Sequence, residues 1–272
     1  MSHRPIITLT TDFGATDHFA AVMKGVILGI NPEVQIVDIC NYVAPYDIFD
    51  AAYSLVQSYR FFPNDTIHLA VVDPGVGTTR RPILAWTGQY KFVAPDNGVL
   101  SLIFEREAGA EVRHVTASHY FLNPVSNTFQ GRDVFAPVAG WLSRGVDVDK
   151  FGDPITDYAK FKSPQPKHVS ERLVKGVILK ADRFGNLITN IAPEDIPQLF
   201  SEDPPTFKIV INQREITHLN LAYSMGKPSE LFAIVGSAGF IEICLNRGSA
   251  AKMLNANRGA EVGVIIGEEP LT

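Results

Sequence analysis

Cysteine is scarce in this chain: 272 residues contain two, Cys40 and Cys244. That excludes a disulfide framework, and both thiols sit in apolar, strand-like runs, as expected for reduced groups of a cytoplasmic protein. No apolar run reaches the roughly 18 residues of a membrane span, so no membrane association is expected. The start, MSHRPIITLTTDFG, lacks the apolar stretch and small-residue site of a signal peptide. A basic excess is missing too. Lys plus Arg number 24 against 29 Asp plus Glu, a net charge of −5, which argues against a nucleic-acid partner. No repeat or low-complexity tract is present.

Several familiar motifs are also missing. No Gly-rich loop ends in Gly-Lys-Ser/Thr, no Gly-x-Ser-x-Gly elbow occurs, and no histidine pair has zinc spacing. His68 lies inside a strand and reads as a satisfied core residue. Asp12-Phe13-Gly14 spells the kinase metal triad, but no Gly-rich or catalytic loop precedes it. Gly75-Val76-Gly77 begins like a dinucleotide fingerprint, yet Arg80 stands where the third glycine belongs.

What remains is an ordinary globular composition, 46% hydrophobic and 19% charged. The first half alternates strand and helix patterns: strands at 6–11, 35–40 and 66–72, with helices between them from about 19 and from about 48. Asp17 and Asp47 are expected to cap those helices. Such alternation predicts right-handed crossovers and a largely parallel sheet. A hairpin (83–86, 90–94), a short helix (98–107), a strand (112–116) and an amphipathic stretch (131–143) follow, the last disturbed near its start by Pro137. Residues 152–167 gather Pro154, Pro164 and Pro166 and read as a linker. Beyond them come short strands with turns. The fold class is therefore α/β: a largely parallel α/β domain over 1–165 and a smaller, mostly-β, barrel-like domain over 166–272.

Five polar segments interrupt the apolar pattern: 11–14 (TDFG), 72–78 (VDPGVGT), 95–98 (PDNG), 129–133 (FQGRD) and 182–186 (DRFGN). The first two follow predicted parallel strands at their carboxyl ends, where open α/β sheets bind ligands. Asp, Asn and Gly also simply make turns. Asp73 and Arg80 can meet if the loop led by Pro74, Gly75 and Gly77 folds back. The pair then either braces the loop or holds a carboxylate beside a ligand.

Six segments together resemble the S-adenosyl-L-methionine (SAM) hydroxide adenosyltransferase family, relatives of the fluorinating and chlorinating enzymes. They are 10–17, 71–80, 94–99, 128–137, 182–190 and 236–248, in the family's order and over nearly the whole chain. The resemblance implies conversion of SAM and water or hydroxide to adenosine and L-methionine, with SAM as substrate and no cofactor or metal. It also implies a homotrimer with sites where one subunit's N-terminal domain meets a neighbour's C-terminal domain. Asp12 would accept from both ribose hydroxyls, and Asp17 and Asp182 would face the methionine ammonium. Ser237 would hold the carboxylate, although Ala238 replaces the Arg that follows this Ser in the halogenating relatives. Asn186 and the backbone near Asn246 and Arg247 would read adenine, with Phe184 beside it. Tyr46 and Phe129 would line the space around C5′, or simply pack. Asp73 and Arg80 match two members of the family's water-handling trio. The third, a histidine, is here Gln130, which cannot take a proton near neutral pH but can orient a water. On this reading Asp73 is the side-chain base. Gln130 also keeps open a SAM- or adenosine-binding protein with weak turnover, and a halide-using adenosyltransferase is the enzyme alternative.

Overall fold

The computed structural model describes residues 4–267, so His3 lies outside the described residues. The chain divides into two units, Met1–Lys162 and Ser163–Thr272. In the first, β1 (Ile6–Thr11), α1 (Phe19–Ile30), β2 (Gln35–Cys40), α2 (Ile48–Ser58) and β3 (Ile67–Val71) alternate as their hydrophobic periods require. β4 (Pro82–Trp86) and β5 (Lys91–Pro95) form the hairpin, followed by α3 (Ser101–Arg106) and β6 (Glu111–His114). The sheet order is β2-β1-β3-β5-β4-β6. Its first four strands run parallel, and β4 is antiparallel to both neighbours. Ile7, Leu9, Leu69 and Val93 from the sheet pack with Met23 and Ile27 of α1 and Val138 and Leu142 of α4 (Ala136–Ser143).

Three expectations are corrected here. Asp17 does not cap α1: His18 holds the cap position, and no side chain caps there. Asp47 does cap α2, accepting from the Asp50 N–H at 3.0 Å. The stretch 131–143 is not one regular helix. Gly131–Phe135 winds as a π-type turn and only Ala136–Ser143 is α-helical, with Pro137 in its first turn where its missing N–H costs nothing. Nor is 152–162 a free linker. The Asp157 carboxylate pairs with Arg81 at 2.9 Å, the Ala159 N–H donates to Asp96, and the Phe161 N–H donates to Ser101, so this irregular tract is pinned to unit 1.

The second unit holds β7 (Lys167–Ser170), β8 (Leu173–Ala181), β9 (Leu187–Thr189), β10 (Phe207–Ile211), β11 (Arg214–Ile216), β12 (Leu219–Asn220), β13 (Leu231–Val235), β14 (Ile241–Leu245) and β15 (Glu261–Ile266), with α5 (Ala250–Leu254) before the last strand. They form one sheet in the order β11-β10-β15-β8-β9-β14-β13-β12, with β7 added on β8. The sheet curls, bringing β11 against β13 around a core of Ile178, Ile209, Ile243 and Val264. Both cysteines are free, but only Cys244 is buried. Cys40 is half-buried at the end of β2, where its Sγ accepts from the Tyr42 N–H. No helix among the described residues is long and apolar enough to cross a membrane.

Candidate active site

Parallel register brings the first two polar segments together. Thr11 pairs with Val71, so Asp12 and Asp73 leave neighbouring strand ends on the same edge of the sheet. The loop after β3 turns back through Gly77, whose φ is +76° and whose added Cβ would lie 2.3 Å from the Asn127 carbonyl oxygen. Only glycine fits that approach. The fold-back delivers Arg80 to Asp73: Nε donates to Oδ1 at 2.9 Å, and Nη2 donates to Oδ2. The side chains are 9% and 6% exposed, so this is a largely desolvated pair. Arg80 Nη2 also donates to Gln130 Oε1 at 2.5 Å, and its guanidinium lies over the Phe135 ring at 5.1 Å.

Asp73 and Gln130, but not Arg80, face a cavity of about 390 Å³ lined also by Asp12, Asp17, Tyr46 and Phe129, together with Phe13, Phe19, Pro45, Val76 and Thr128. Phe129 meets Phe13 and Phe19 edge-on at 6.0 and 5.1 Å, so it both packs and walls the cavity. Tyr46 is 74% exposed, and its backbone N–H donates to Asp12. Beside the cavity, burial pushes the Asp133 carboxyl up, but the Arg132 guanidinium and the Ser126 N–H outweigh that and hold it below the ordinary range. The 95–98 segment does not line the cavity. Asn97 Nδ2 instead clamps the Val72 carbonyl at 2.9 Å, and Asp96 pairs with Arg81.

The second unit carries its own cavity, about 560 Å³, lined by Asp182, Phe184, Asn186, Asn246 and Arg247. Asp182 closes the 182–186 turn. Its Oδ1 accepts from the N–H groups of Phe184 and Asn186 at 2.9 and 2.8 Å, and Oδ2 accepts from Asn186 Nδ2 at 2.8 Å. Phe184 is thereby left 78% exposed on the rim. Asn246 Nδ2 donates to the Gly226 carbonyl at 2.6 Å. Ser237 is not among these: it is exposed in the β13–β14 turn and does not line the cavity.

Sequence reasoning missed Tyr223, which lines the second cavity and donates to Glu242 Oε2 at 2.9 Å. It stands in a short turn with no periodic signal, and its role is visible only through that partner. Burial and the Glu242 bond push the Tyr223 phenol up. Burial raises the Glu242 carboxyl as well, the Tyr223 bond works against that rise, and the charge of Asp182 adds to it. Among the described residues no group of three His, Cys, Asp or Glu side chains is placed to hold a metal ion.

Comparison with known proteins matches residues 7–152 to the SAM hydroxide adenosyltransferase N-terminal domain and residues 176–263 to the corresponding C-terminal domain. The (R)-S-adenosyl-L-methionine hydrolase of Salinispora arenicola is 32% identical over 98% of this chain and 100% of its own length. That of Methanocaldococcus jannaschii is 30% identical over 96% and 95%. The Fluorinase of Nocardia brasiliensis matches at 27% identity over 97% and 98%. The crystal structure of an uncharacterized conserved protein from Thermotoga maritima superposes with a TM-score of 0.88 at 35% identity, covering 96% of this chain and 99% of that one. Two domain matches in the right order, each falling within one structural unit, show that the chain belongs to the SAM hydroxide adenosyltransferase family.

Proposed function

We propose that this protein hydrolyses SAM to adenosine and L-methionine by in-line attack of water or hydroxide on C5′. The observation that carries the reading is that Asp73 and Gln130, both bonded to Arg80, line the same cavity as Asp12. The sulfonium is already an activated leaving group, since the C–S electron pair departs on neutral methionine. The protein has only to place the oxygen in line, at about 3–3.5 Å, and to keep bulk water out. The aromatic faces of Phe13, Phe19 and Phe129 suit that dry wall and tolerate a positive sulfur.

In this reading Asp12 meets the ribose diol, because one carboxylate has acceptors for two hydroxyls. Asp17 and Asp182 face the ammonium, and Ser237 faces the carboxylate. Asn186, Asn246, Arg247 and Phe184 take adenine, while Tyr46 and Phe129 border C5′. The two cavities, one per unit, would then be completed between neighbouring subunits of a cytoplasmic homotrimer. Support comes from the split of ligand-type residues between the two units.

Liquid chromatography of products after incubation with SAM tests the reading. Adenosine and methionine in equal amounts are expected. A 5′-halo-5′-deoxyadenosine formed with added halide would mark an adenosyltransferase of the halide-using kind instead. SAM returned intact would leave a binding protein.

A further inference from the structure

The Gln130 side chain makes one hydrogen bond among the described residues, and that bond decides which way its amide faces. Arginine has five donors and no acceptor, so only the amide oxygen can meet Arg80. Oε1 is therefore spent on Arg80 Nη2 at 2.5 Å. Nε2 has no protein partner among the described residues, on a side chain that lines the cavity. What Gln130 offers the cavity is a donor.

The carboxylates nearby already accept hydrogen bonds from the protein. Both oxygens of Asp73 are turned to Arg80, and Asp12 Oδ2 takes the Tyr46 N–H. Asp17 lines the cavity but is exposed, and no histidine lines it, His18 being stacked on Phe19 instead. Arg132, two residues on, is engaged with Asp133 and lies over Phe129. Neutral water attacking C5′ would have to hand its proton to an acceptor as the C–O bond forms, and a donor on its lone pair would weaken it as a nucleophile. Hydroxide needs no such acceptor. Its electron pair forms the C5′–O bond, the C5′–S pair goes to sulfur, the anionic and sulfonium charges cancel, and no proton moves.

Resting on the hydrolase reading above, we propose that Gln130 serves as a hydrogen-bond donor to an anionic nucleophile, so that this site takes hydroxide from solvent rather than generating it from water with a side-chain base. Gln130 Nε2, held by the Arg80 bond, captures and aligns hydroxide in the cavity; the oxygen loses charge as the C5′–O bond forms, so the donor acts through position and local concentration of the anion.

The test is the rate of adenosine formation at saturating SAM from about pH 6 to about pH 9, a window around the histidine reference value. The parent protein should rise about tenfold per pH unit, following hydroxide, with no bend in the histidine range. Gln130→His should introduce a bend near the histidine value of about 6.5 and outpace the parent below it. The α-amino group of SAM titrates in the same window, so SAM binding is measured across the same pH range and its contribution is removed from each profile. Gln130→Met, which keeps length and loses the donor, should fall by about 10²-fold while keeping the parent's slope. A parent profile that levels above a group titrating near neutrality overturns the inference, as does a Met variant as fast as the parent. Both outcomes leave hydrolysis itself intact. Absence of adenosine from the parent at every pH overturns this inference and the hydrolase reading together.

Discussion

The backbone N–H of Tyr46 donates to Asp12 Oδ2 at 2.9 Å, so the carboxylate at the end of β1 also anchors the loop that leads into α2. Tyr46 sits at a φ of 66°, a left-handed conformation uncommon for a side chain of its size, and the bond helps to hold it there. Asp12 thus shapes the cavity as well as facing it.

Asp12→Ala should weaken adenosine binding by more than one lost contact. Each charge-assisted hydrogen bond to a desolvated ligand is worth about 1.5–3 kcal/mol, and the Tyr46 loop is released at the same time. Calorimetry should show at least about tenfold weaker binding, and Asp12→Asn, which keeps an acceptor for Tyr46, should lose less. Unchanged affinity in the Ala variant removes Asp12 from the ribose contact.

Asp73→Asn should reduce turnover far more than SAM affinity. It leaves the largely buried Arg80 without its charge partner, and breaking such a pair costs about 3–5 kcal/mol. It also frees Arg80 from the position that fixes Gln130. We expect a lower melting temperature and a kcat loss of about 10²-fold or more, the scale of a misplaced donor. A variant that binds SAM poorly but turns over normally at saturation would reverse these roles.

Gly185→Ala should damage the second cavity without replacing any polar side chain. Gly185 has a φ of +88°, and an added Cβ would lie 2.1 Å from Ser249 Oγ, the hydroxyl that caps α5. Backbone strain alone costs about 1–3 kcal/mol. Thermal unfolding should shift down, and adenosine binding should weaken because the turn that presents Phe184 and Asn186 is displaced. A variant with parent-like unfolding and affinity would show that the turn can relax.

Acid should destabilise the fold through His68. The imidazole is fully buried among Tyr59, Phe62, Tyr90 and Phe92, with Nδ1 at 2.8 Å from Thr8 Oγ1. Its Nε2 has no partner among the described residues, so the core residue is only half satisfied. Burial pushes its pKa down from 6.5 to about 3. The unfolded chain therefore binds a proton that the folded one refuses. The stability at stake is complete above about pH 6.5 and is lost as pH falls from there toward about 3. At about pH 4.5 the loss from this group is about 2–3 kcal/mol. Urea unfolding at neutral and acid pH should show it, and the double variant Thr8→Val/His68→Phe should be less acid-sensitive than the parent. Equal acid dependence in both assigns the effect elsewhere.

Much of this was legible in the chain itself. β1 and β2 occupy the expected residues, because short runs of β-branched residues between turn-forming ones leave little freedom in where a strand starts and stops. The meeting of Asp73 and Arg80 was foreseeable too, since Gly75 and Gly77 allow the fold-back that joins them. The strands β7, β11 and β12 were not legible. They are short edge segments whose hydrogen bonds come from a neighbour already in place, not from their own pattern. Asp17 reads as a cap by residue type, and the local preference ranks it above His18, yet the helix starts beyond its reach.

Gln130 marks the boundary between the two kinds of information. Its identity alone excludes proton acceptance near neutral pH, because an amide has no basic lone pair to offer. Which end of that amide faces the cavity depends on Arg80, 50 residues away in sequence and supplied by another loop. The direction of a hydrogen bond belongs to the pair, and the fold brings that pair together.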